Sequence, residues 1–182
     1  MKFKQLVLLI MLCFLTSCYG LVDLEDRGYV LSLCIDKDGG NYKLSMTTAD
    51  IQESGGKENG EILHGNGKTL SDAFADADLH TDKKLYYGHT SVLIIGESLR
   101  KDTKMFGELC DELAENTDIS QKMYVFSAKT AEGILTEKDK DISLGMYVVD
   151  YYKSHKQEPR LRVGELVKSP TAEIPRFFYA SK

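Results

Sequence analysis

Apolar positions along the chain fall into short blocks with two different periods. Residues 29–35, Tyr-Val-Leu-Ser-Leu-Cys-Ile, are nearly unbroken apolar, the pattern of a strand covered on both faces and therefore inside a sheet. The stretch from Asp36 to Asn41 then supplies Gly39 and Gly40, which tolerate positive φ. Tyr42, Leu44 and Met46 alternate with Lys43, Ser45 and Thr47 in a second strand with one wet face, so a hairpin is expected. Residues 52–68 are rich in glycine and charge and read as a mobile loop, with a short extended piece at Ile62-Leu63. Thr69 is placed to cap a helix and Asp72 suits its first turn. Leu70, Ala73, Phe74 and Ala77 recur at helical spacing, which predicts a helix over residues 70–84.

Ser91-Val92-Leu93-Ile94-Ile95-Gly96 is a second buried strand, and its β-branched residues favour extension. Met105, Phe106, Leu109, Cys110 and Leu113 then share one helical stripe, and Lys122 to Ala128 returns as a strand. Strand, helix and strand make a βαβ unit, with parallel strands and a right-handed crossover expected. A shorter helix around Thr130 to Leu135 precedes a charged break over 136–141. Leu144, Tyr147, Val148 and Tyr151 mark another amphipathic helix, which fades before Pro159. Phe177-Phe178-Tyr179 looks like the first strand of a further unit. The fold class expected is α+β, or α/β: a mixed sheet with an N-terminal hairpin, one βαβ unit and packed helices.

The first residues carry an address. Lys2 and Lys4 precede an apolar run from Leu6 to Leu15, followed by Thr16, Ser17 and Cys18, which is the order of a secretory signal. Ten apolar residues rise only about 15 Å as a helix, roughly half the hydrocarbon thickness of a bilayer, so removal is expected rather than a lasting span. Leu15-Thr16-Ser17-Cys18 resembles the bacterial lipobox, in which the cysteine is acylated before cleavage. Residues 1–17 are accordingly expected to be a lipoprotein signal peptide, and Cys18 to carry a covalent lipid. Several acyl chains, at about 0.8 kcal/mol per buried methylene, would make a durable tether.

Composition narrows the function classes. Hydrophobic residues make up 42% of the 182 and charged residues 28%, enough to bury a core and too apolar for a disordered chain. The formal charge of −5 has no basic run to offset it, and losing Lys2 and Lys4 would leave −7, so nucleic acid is not an expected partner. Cys34 falls in an apolar strand and Cys110 on an apolar helical stripe. Both read as small core hydrophobes, and the sequence leaves open whether they pair.

Reaction chemistry is hardly visible. Gly67-Lys68-Thr69 before a helix invites comparison with a phosphate-binding P-loop, but the first glycine of that spacing is replaced by Ile62. His64, His80, His89 and His155 lack metal-ligand spacing; His64 and His155 read as solvated, and His89 as a hydrogen-bonded structural residue. Ser91 has no nucleophile elbow around it. Asp111, Glu112 and Glu115 read as a solvated helix face. No catalytic set, metal site or cofactor beyond the lipid on Cys18 is expected.

These motifs, in this order, resemble the Ger(x)C family, the lipoprotein C subunits of nutrient germinant receptors of bacterial spores. The lipobox cysteine leads to Asp23-Leu24-Glu25-Asp26-Arg27-Gly28, and then to a strand ending in Ile35-Asp36-Lys37. Thr69-Leu70 to Ala73 is similar to the family's helix start. Lys83-Lys84-Leu85-Tyr86-Tyr87-Gly88-His89, a strand, and Ile94-Ile95-Gly96-Glu97 are similar to its most specific stretch; residues 128–135 also fit. The resemblance makes Asp36, Lys37, Gly88, His89, Gly96 and Glu97 motif residues with structural or partner-facing roles. It implies a non-enzymatic subunit, lipid-anchored on the outer face of the cytoplasmic (spore inner) membrane, with integral-membrane A and B subunits as partners. Family members are longer, so residues 18–156 are expected to correspond to their N-terminal domain, and 157–182 to a linker or the start of a truncated second domain. The alternative is a membrane-anchored solute-binding or hydrolytic lipoprotein, which would need a concave site with convergent polar groups.

Overall fold

The computed structural model describes residues 27–49, 61–136, 144–155 and 161–177. Among them, strands β1 (Arg27–Asp38), β2 (Asn41–Ala49), β3 (Ile62–Gly67), β4 (Lys84–Tyr86), β5 (Val92–Gly96) and β6 (Tyr124–Ala128) form one mixed sheet. Its order is β3-β2-β1-β5-β6, with β4 also paired to β1. The helices are α1 (Leu70–Asp78), α2 (Glu97–Lys101), α3 (Thr103–Glu115), α4 (Ala131–Thr136), α5 (Leu144–His155) and α6 (Val163–Leu166). The fold is α+β.

The hairpin is as expected: β1 and β2 are antiparallel, and Gly39 takes a positive φ of 60° in the turn between them. β5 and β6 are parallel, with α2 and α3 between them. The near-continuous apolar runs reflect burial on both sides. Leu33, Ile35, Leu93, Ile95 and Val125 face one cluster with α1, α2, α3 and α6, whereas Cys34, Val92, Ile94, Phe126 and Ala128 face a second with α4 and α5. Successive strand residues alternate between the two layers.

Two expectations are corrected. The glycine-rich stretch read as loop contains a full strand over Ile62–Gly67, antiparallel to β2. Its glycines are there for close approach: a Cβ at Gly65 or Gly67 would run into the Ala73 backbone of α1. The helix expected to reach residue 84 ends at Asp78. The chain then crosses to β4, which lies parallel to the first residues of β1, with Arg27 opposite Lys84 and Tyr29 opposite Tyr86. Phe177, the first residue of the apolar triplet, is 7% exposed and meets Phe126 edge-on at 5.5 Å, while the backbone around Arg176 bridges to Ser127 of β6; Phe178 and Tyr179 lie outside the described residues. Residues 161–177, within the 157–182 stretch expected to be a linker or the start of a second domain, contribute Leu161, Val163, Leu166 and Ile174 to the larger cluster.

Candidate functional site

The motif residues collect at the two ends of the central strands. At the end where β1 and β5 finish, Asp36 and Lys37 point to opposite sides of the sheet because neighbours in a strand must. The Asp36 carboxylate accepts the amides of Ala131 and Glu132, 2.9 Å each, and so caps the start of α4 on one face. Gly96 stands against that carboxylate, whose Oδ1 occupies the space a Cβ at Gly96 would need. Lys37 donates to Asp102 at 2.6 Å on the other face, where Asp102 accepts the Met105 amide at the start of α3. The Lys37 hydrogen bond, followed by the Met105 amide, holds the Asp102 carboxyl below the usual carboxylate range. Glu97 pairs with Arg176 at 3.2 Å and Lys101 at 3.7 Å. Two adjacent strand residues thus fasten one helix on each face.

Gly88 and His89 belong to the opposite end. Residues 79–89 cross beneath the start of β1, and Tyr29, Tyr86 and His89 form an aromatic cluster with centroids 5.5–5.8 Å apart. The expectation of a hydrogen-bonded His89 is corrected: the ring is exposed and rests on Tyr29 and Tyr86. Gly88 leaves room for the Tyr86 ring. Thr90, which no spacing or motif singles out, is buried and donates to the Val30 carbonyl at 3.1 Å, anchoring the crossing to β1.

A cleft of about 700 Å³ opens beside this crossing, lined by Asp78, Lys83–Gly88, Thr117 and Asp118. Tyr87 packs its ring edge-on against Phe74 at 4.9 Å. Its hydroxyl is buried beside the Asp78 carboxylate. Burial, then the nearby Asp78 carboxylate, push the Tyr87 pKa up, and burial also raises Asp78. The wall therefore carries carboxylates, ammonium groups and one buried hydroxyl.

Elsewhere the chemistry is structural. The start of α1 carries the protein's own anion: Glu112 of α3 accepts the Leu70 and Ser71 amides at 3.1 and 3.0 Å, and Thr69 and Asp72 form a capping box. This corrects the reading of Glu112 as part of a merely solvated face. Ser91 donates to the His89 carbonyl at 3.3 Å, so the two side chains are not a nucleophile and base. His64, read as solvated, is exposed on β3 with Nδ1 3.0 Å from Ser45 Oγ; Glu132 approaches the same nitrogen at 3.7 Å. Both partners share one ring nitrogen, so the carboxylate does not orient a base toward the serine. Cys34 and Cys110 are free, and they sit in different clusters on opposite sides of the sheet. Burial pushes both thiols up, Cys110 to about 11.

Leu15, Thr16, Ser17 and Cys18 lie outside the described residues, as do residues 52–60 of the expected loop. Among the described residues no helix is long and apolar enough to cross a membrane. Compared with known proteins, the chain matches the family described as the spore germination protein N-terminal domain over residues 21–169. No curated protein and no solved structure matches it.

Proposed function

The chain belongs to the spore germination protein N-terminal domain family, and from that premise we propose that it is a lipid-anchored, non-enzymatic subunit of a nutrient germinant receptor. A lipid on Cys18 holds it to the outer face of the cytoplasmic membrane, which is the inner membrane of the spore, beside integral-membrane A and B subunits. The observation that carries the reading is the family match across residues 21–169, which takes in every motif residue from Asp36 to Glu97. The lipobox-like Leu15-Thr16-Ser17-Cys18 just ahead of that match supports the anchor. In this reading the domain works by contact: it supplies a rigid body, fastened through Asp36 and Lys37, rather than a reaction centre.

Two experiments in the spore-forming host test it. Labelled palmitate is expected to enter the wild-type chain and not Cys18→Ala. Spores lacking the gene are expected to germinate more slowly in nutrients while responding normally to non-nutrient triggers. Unchanged nutrient germination in the deletion strain would remove the receptor role.

The cleft beside Tyr87 favours a second reading, a solute-binding lipoprotein, because carboxylates and ammonium groups on one wall suit a zwitterionic small solute. A thermal-shift screen of free amino acids separates the two. A stabilising hit abolished by Tyr87→Phe would favour the solute reading, and no hit favours the contact reading.

A further inference from the structure

Leu79 and Tyr86 are the exposed large hydrophobic residues among those described, at 83% and 41% exposure. Leu79 follows the last residue of α1, Tyr86 closes β4, and both belong to the crossing that forms one end of the domain. Lys84 and His89 of the same crossing are also exposed, His89 against the Tyr86 ring, and the Arg27 guanidinium lies 6.0 Å from that ring. Side chains with an apolar body and a polar or cationic tip are those that settle at the headgroup level of a bilayer.

The tether enters at the same end. β1 begins at Arg27, opposite Lys84, and Arg27 is nine residues on from Cys18. Nine residues span at most about 32 Å however they run. A lipid on Cys18 therefore holds the start of β1 within about 32 Å of the anchor, close enough for this end to reach the membrane surface.

We propose that this end of the domain, carrying Leu79, Lys84, Tyr86 and His89, rests on the lipid headgroups, so that the tethered domain has a fixed orientation. The end bearing Asp36, Lys37 and the start of α3 then faces away from the membrane. The inference rests on the lipid-anchor reading and deepens it. Asp78, Asp82 and Asp118 border the patch and offset its cations, so the contact is mainly aromatic and apolar, and it survives salt that screens surface charges.

The chain contains no tryptophan, so an introduced one is a unique reporter. Leu79→Trp and Tyr86→Trp report on the patch, and Lys68→Trp on the far end. Residues 18–182 would be coupled through Cys18 to a maleimide phospholipid in phosphatidylcholine–phosphatidylglycerol vesicles containing brominated lipid. Cys34 and Cys110 are buried and should not react. Quenching is expected to be several-fold stronger at 79 and 86 than at 68, and to persist in high salt. Equal quenching at all three positions, or none at 79 and 86, would overturn the orientation. So would protection of these residues only when the A and B subunits are reconstituted alongside, which would make the patch a protein contact. Because the coupling is chemical, this outcome is independent of natural acylation. Should palmitate labelling fail while the quenching pattern holds, the anchor reading fails and the surface preference stands. Leu79 is almost fully exposed, so its variant reports even where Tyr86→Trp disturbs the aromatic cluster.

Discussion

Truncating Asp36 to alanine would leave the amides of Ala131 and Glu132 without their acceptor, at a cost of about 2–4 kcal/mol. Thermal unfolding should show Asp36→Ala melting several degrees lower, with Asp36→Asn closer to wild type because one amide keeps an oxygen. Gly96→Ala forces a methyl against the same carboxylate, costing about 1–3 kcal/mol. The double variant Asp36→Ala/Gly96→Ala should lose less than the two single losses combined, since removing the carboxylate frees the space; simple additivity in a melting cycle would contradict the contact. Asp102 carries a pH signature. Its folded pKa is depressed by Lys37, so its contribution is present above the unfolded carboxylate value of about 3.9 and is lost as pH falls through the lower folded one. Acid titration of stability should be shallower in Asp102→Asn, which keeps a side-chain acceptor for the helix cap but not the charge. His89 is exposed, so His89→Ala should cost no more than about 1 kcal/mol, the worth of its aromatic contacts.

The start of α1 depends on an acceptor from another helix. Glu112→Ala should speed hydrogen exchange at the Leu70 and Ser71 amides and leave those deep in β5 protected; uniform exchange changes would mean global destabilisation instead. The hairpin and the β5–α3–β6 unit were legible because apolar periodicity is strongest where a strand is covered on both faces. β3 was not. Gly65 and Gly67 resemble loop residues by composition, and only the approach of the Ala73 backbone explains why a strand carries them. β4 was hidden for a related reason. Three residues hold too little pattern to register, and their extension follows from pairing with β1.

The domain as a whole is closed by its last described segment. A chain ending at residue 156 would lack Leu161, Val163, Leu166, Ile174 and Phe177, each buried. At about 1.5–3 kcal/mol for each large apolar side chain, that loss is comparable to the whole stability of an ordinary domain. The truncated chain should show no cooperative melting in calorimetry, and a sharp transition would show that the segment is dispensable. The two sheet faces also separate Cys34 from Cys110. A thiol reagent should reach neither in the native protein and both after denaturation, whereas a resistant disulfide would contradict the layer assignment.

By itself the sequence determined the local periods, the hairpin turn, the class of fold and the motif order that places the chain among spore germination proteins, because each of these is written in neighbouring residues. Only the tertiary structure decided that Asp36 and Lys37 fasten opposite layers, that Glu112 serves as the anion of a distant helix, and that residues 79–89 bring exposed Leu79 and Tyr86 to the end where β1 begins. Those contacts join residues tens of positions apart, and no spacing along a chain encodes the distance at which a sheet folds them together.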